Sequence, residues 1–142
     1  MGSVKNIVVF IVTILILLLI YGCATFYQYG KLEQSASLDY QAGNYDLAIF
    51  KCVESIKLQP DYDKSQALIK DSLEKSVKKH ESRIKELDLS QAKFKWDEIV
   101  AEYESLIRVN NAIKSLPNIV DKTKKTITFE LKDYTEELVV SK

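Results

Sequence analysis

The chain has 142 residues, with twenty basic side chains against twenty acidic ones and no formal net charge. That balance removes the electrostatic case for a nucleic-acid or polyanionic partner. Two cysteines, four glycines and two prolines in a sequence that is 28 % charged exclude a disulfide scaffold and a low-complexity chain, and predict an ordered, all-α body.

The first element is apolar. After MGSVKN, whose single charged side chain is Lys5, residues 7–20 read IVVFIVTILILLLI, with Thr13 the only polar residue. Fourteen residues is long for the apolar region of a signal peptide and short of the roughly 20 that span a bilayer; counting on to Phe26 reaches that length. A run of this kind does not stay exposed to water, so the sequence predicts a body held at a membrane surface. The run closes on Ile20-Tyr21-Gly22-Cys23, which resembles the lipobox of bacterial lipoproteins, an aliphatic residue and then a small one ahead of a cysteine. The resemblance implies that residues 1–22 are a signal peptide cut between Gly22 and Cys23, that Cys23 carries the lipid, and that residues 23–30 are a lipidated start and short stalk. Tyr21 departs from the pattern, which has a small or β-branched residue there. Ala24, in place of an aspartate, favours the outer membrane facing the periplasm over the inner membrane. The other reading of these residues is an uncleaved anchor helix to residue 26, with Tyr21, Phe26 and Tyr27 in the interfacial aromatic belt.

The helical body is predicted over residues 31–115. Leu32, Ala36 and Leu38 mark the apolar face of a first helix that stops near Gly43-Asn44, and Asn44 is placed to cap the next. Tyr45, Ala48, Ile49, Cys52, Val53 and Ile56 then recur at three- and four-residue steps until Pro60, which makes an αα-hairpin. This stretch, AGNYDLAIFKCVESIKLQP, resembles the second half of a tetratricopeptide repeat, a helix-turn-helix unit of about 34 residues ending in proline. Ala36, Gly43, Tyr45, Ala48, Ile56 and Pro60 carry the resemblance, while Asp39, Cys52 and Ser55 depart from it. It implies antiparallel hairpins of an α-solenoid and a groove that holds a protein segment, with Gln34, Leu38 and Gln41 on the concave face.

A fainter copy follows. FKWDEIVAEYESLIRV places Trp96, Ile99, Tyr103 and Leu106 at the relative positions of Tyr45, Ala48, Cys52 and Ser55, but 51 residues separate Tyr45 from Trp96, so the repeat is degenerate. Between the copies, Leu73, Val77, His80, Ile84 and Leu87 lie on one stripe of one long helix or two consecutive ones. Residues 116–142 form a tail in which TITFEL alternates like a strand and DYTEELVVSK favours a helix. About two repeat-like units leave an apolar face for a partner or a second copy to cover.

No phosphate loop, CxxC, HExxH or nucleophile elbow occurs, so the sequence predicts no enzyme, no cofactor and no metal site. His80, between Lys79 and Glu81, reads as a solvated helix residue, and Cys52 as a small apolar filler of the hairpin interface. Glu98, Glu102 and Glu104 read as an exposed helix face, Trp96 and Tyr103 as core aromatics, and Lys122, Lys124 and Lys125 as a solvated basic loop. The expectation is a membrane-tethered envelope scaffold whose partners are membrane lipid and an unidentified protein.

Overall fold

Helix begins at Gly2 and does not break until Gln41, giving α1 (Gly2–Gln41) its 40 residues. The computed structural model describes residues 2–91, 93–120 and 124–141; within α1 the side chains of residues 2–5, 7–9 and 15–27 lie outside that description, so Gly22 and Cys23 are placed by backbone alone. Among the described residues no helix is long and apolar enough to cross a membrane. Residues 27–30, expected as a stalk, are helical. Tyr29 is already part of the body, its ring set edge-on to Tyr62 at 4.7 Å.

Gly43 ends α1 by taking φ +78°. The Asn44 amide then donates to the Asp39 carbonyl at 2.9 Å and the Gly43 amide to the Tyr40 carbonyl at 3.1 Å. These two bonds make a Schellman motif, which satisfies the carbonyls that a helix end leaves open. Asn44 therefore acts through its backbone; contrary to expectation, its side chain makes no capping hydrogen bond to the next helix. A Cβ at Gly43 meets no atom within 4 Å, so a substitution there tests the backbone conformation alone. Gly43→Val is expected to lower stability by about 1–2 kcal/mol in denaturant unfolding, and Gly43→Asn to recover most of the loss.

Three more helices follow, α2 (Tyr45–Leu58), α3 (Asp63–Leu89) and α4 (Lys95–Lys114), and α5 (Thr135–Ser141) closes the chain. The described residues are all-α, with no strand and one isolated bridge, Val120 to Thr126. α2 is the central helix and packs against α1, α3 and α4. Its spacing explains why: Ala48, Ile49, Cys52, Val53 and Ile56 share one broad face, an arc of about 140°, and all are buried. They meet Ala36 of α1, Ile69 and Leu73 of α3, and Val109 and Ile113 of α4 in one core. Leu38 stands two residues, or about 200°, from Ala36. It faces out at 67 % exposure, which corrects its assignment to the apolar face.

Small polar groups fix the α2–α3 end. Ser55, fully buried, donates to the Tyr29 carbonyl at 3.0 Å and shares a 2.7 Å hydrogen bond with Ser65. Gln66 donates from one amide group to the Pro60 carbonyl at 2.7 Å and to the Val120 carbonyl at 3.1 Å, tying the turn to the tail. The tail alternates as the sequence suggested. Ile127, Phe129 and Leu131 pack against the core, while Thr128 and Glu130 face out. It pairs with no neighbouring strand beyond the bridge at Thr126 and instead lies along the α3–α4 pair, held by the Ile127 amide on the Ile119 carbonyl and by Asn110 on the Lys132 carbonyl.

Candidate partner groove and the His80 cluster

α3 runs unbroken for 27 residues because nothing in it interrupts helix and successive rows of its side chains find different neighbours. Ile69, Leu73 and Leu87 turn inward. The adjacent row, Lys70, Glu74, Lys78, Glu81 and Lys85, faces an open groove of about 730 Å³ between α3 and residues 128–130 of the tail. Leu73, Val77 and Phe129 supply the apolar part of its lining. Charge alternates in sign along the row at three- and four-residue steps, the spacing that keeps helix residues on one face. A smaller cleft of about 450 Å³ continues from Glu81 and Lys85 to Trp96, Tyr103 and Tyr134.

His80 lies on the inner side of the same helix. Its side chain is 12 % exposed, and both ring nitrogens are engaged by carboxylates. Nε2 meets Asp46 of α2 at 3.0 Å and Nδ1 meets Glu102 of α4. Ser76 donates to Asp46 at 2.6 Å, and Lys79 donates to the Gly43 carbonyl at 3.0 Å. The Asp46 hydrogen bond, with a further one from Glu102, raises the histidine above its ordinary value against the opposing effect of burial. Burial would raise Asp46, but the hydrogen bonds from His80 and Ser76 outweigh it and hold the carboxyl below its ordinary value.

The ring thus corrects two sequence expectations. His80 is not a solvated residue, and Glu102 is not part of a free surface, because each is the other's partner across the α3–α4 contact. Chemically, an imidazole whose two nitrogens already face carboxylates presents no lone pair to a substrate or metal. Among the described residues no group of histidine, cysteine and carboxylate side chains could hold a metal ion. Cys52, fully buried, has its thiol pushed up to about 12 by burial and then by Glu33, which keeps it in the unreactive protonated form.

The remaining predicted positions separate by burial. Ala36, Ala48 and Ile56 are fully buried in one core, and Tyr45 is half-buried with its ring against Tyr40 at 5.6 Å. Pro60 is exposed in the α2–α3 turn. Gln34, Leu38 and Gln41 are exposed on α1 and do not line the α3 groove. The side chains of Gly22 and Cys23, and Lys122 altogether, lie outside the described residues. Trp96 is 52 % exposed, a correction to its reading as a core aromatic, whereas Tyr103 is half-buried against Tyr134 at 6.1 Å. Glu98 is exposed as expected and pairs with Arg83 at 2.7 Å.

Sequence reasoning missed the α3 groove, because it forms only where the tail returns along the helix. The alternation of TITFEL was the available signal. No protein-family model, no curated protein and no solved structure matches this chain.

Proposed function

We propose that this chain is a membrane-tethered helical scaffold of the bacterial cell envelope, held through its amino-terminal segment and binding a segment of a partner protein. The tether rests on the apolar run of residues 7–20 and on the IYGC stretch ending at Cys23. Acyl chains there contribute about 0.8 kcal/mol per buried methylene, and two or more make anchoring stable. The observation that carries the binding role is the groove along α3, where an apolar strip is flanked by a row of alternating charge. An amphipathic segment with the opposite alternation fits that chemistry, and the tetratricopeptide-like pattern of Gly43, Tyr45, Ala48 and Pro60 agrees with a role in holding peptides.

The second reading is an uncleaved single-pass anchor carrying the same body. Its support is the continuity of α1 from Gly2 through Cys23 to Gln41 with no break at the proposed cut. One experiment separates the two. Intact mass and membrane fractionation should show a lipoprotein starting at Cys23 and heavier by its acyl groups, with Cys23→Ala remaining at full length and unlipidated. A native chain starting at Met1 with a free Cys23 thiol selects the anchor. Photo-crosslinkers at Glu74 and Lys78 should capture a partner that the same probe at Gln34 and Gln41 does not; equal capture from both faces ends the groove assignment.

A further inference from the structure

We propose that His80 is a pH-operated clasp that joins the α1–α2 hairpin to the α3–α4 hairpin. The ring belongs to α3, its Nε2 partner Asp46 to the first turn of α2, and its Nδ1 partner Glu102 to α4. One side chain therefore bonds three helices, and it is nearly closed to solvent. Both contacts are donated only by the imidazolium, which carries a proton on each nitrogen. When the ring gives one proton to solvent, a single N–H remains, and one carboxylate is left facing a lone pair. That contact turns from a charge-assisted hydrogen bond into a repulsion, and the helix that carries the carboxylate loses its tie to α3.

The surrounding charges leave the switch to these three groups. α2 presents Asp46 and α4 presents Glu102; on α3 itself Ser76 bonds Asp46, and Lys79 bonds the Gly43 carbonyl beside it. Glu81 is taken up by Tyr134 of the tail at 2.9 Å, and Arg83 by Glu98 and Glu86. Among the described residues no charged group of α1 forms an ion pair or hydrogen bond with the ring.

The direction of the pH effect follows from linkage. His80 is raised in the folded chain, so its contribution is complete below the ordinary histidine value and is lost as pH rises through the raised one. Asp46 is lowered, so its contribution is present above the ordinary carboxylate value and is lost as pH falls through the depressed one. The clasp is closed between the ordinary carboxylate value and the ordinary histidine value, and opens as pH rises through the raised histidine value.

His80 is the sole histidine of the chain, so its ring resonances identify themselves. The test is a ¹⁵N NMR titration of that ring in the full chain in detergent micelles, alongside thermal melts at each pH for the wild type, His80→Gln and Glu102→Gln. The ring should titrate above the ordinary histidine value, and the melting temperature of the wild type should fall by several degrees over the same pH interval. His80→Gln should melt lower than the wild type below the ordinary histidine value and lose the pH dependence, and Glu102→Gln should move the ring titration down. A ring that titrates at or below the ordinary value overturns the proposal. So does a wild-type melting temperature that stays constant while the ring loses its proton, or a His80→Gln profile parallel to the wild type. Should His80→Gln fail to fold, the wild-type titration and melts decide on their own.

Discussion

Ile56→Ala is expected to lower the free energy of unfolding by about 2–5 kcal/mol, the range for truncating a large aliphatic side chain in a packed core. Ile56 has no exposed surface, and its helix is in contact with three others, so the walls of the resulting cavity are fixed by several elements at once and cannot collapse inward. Against a typical total of about 5–15 kcal/mol this is a large share. Leu58, two residues on and 41 % exposed, is the control, and Leu58→Ala is expected to stay within about 0.5 kcal/mol of wild type. Denaturant melts of the two variants side by side measure the contrast. Equal small losses would mean that α2 is not the central helix.

Ending the chain after Leu116 is expected to cost more than any single substitution. The tail delivers Ile119 and Tyr134, each 2 % exposed, and lays Ile127, Phe129 and Leu131 against the core. Burying one such side chain contributes about 1.5–3 kcal/mol, and several are removed together. Gln66 and Asn110, both buried, lose the carbonyl partners that the tail provides, and Glu81 loses the Tyr134 hydroxyl. Asn110, left unpaired, adds about 1–3 kcal/mol to the loss, whereas Gln66 keeps its bond to the Pro60 carbonyl. The shortened chain should lose its cooperative near-ultraviolet melt and bind a hydrophobic dye while keeping much of its helix signal. A melt unchanged from the full chain would show that the tail is dispensable to the core.

The hairpin around Gly43 was legible in the sequence because its determinants are local. A positive φ, a three- and four-residue apolar rhythm and a closing proline all act within a few residues of where they are read. The buried set of α2 was foreseen for this reason, as was the single stripe of α3. His80 was misread because its neighbours in sequence, Lys79 and Glu81, point in other directions on a helix. Its real partners are 34 and 22 residues away. Trp96 was misread by analogy with Tyr45. α3 reaches the level of the Gly43 turn at Lys79 and continues ten residues further to Leu89, so the first turn of α4 extends beyond α2, and among the described residues its indole has no ring partner of the kind that Tyr45 finds in Tyr40. The tail shows a different limit. Alternation in TITFEL reports which side chains face inward, and it carries no information about whether another strand lies alongside.

The helix that opens the chain does not end where the body begins. From Gly2 to Tyr29 α1 rises through 27 steps, a rod of about 40 Å at 1.5 Å per residue in the uncleaved anchor, of which the six steps from Cys23, about 9 Å, stay in the lipoprotein. Tyr29 at its inner end is held by Tyr62 and by Ser55, so the rod is built into the hairpins without a joint. A flexible linker fixes only how far a body can stray, whereas a rod fixes which way it points. Whatever grips the amino-terminal end therefore aims the α3 groove, and turning the rod by one residue would swing that groove through about 100°. Inserting a single alanine between Cys23 and Tyr29 is thus a rotation of the whole molecule about its attachment, and inserting seven nearly restores its heading at a greater reach.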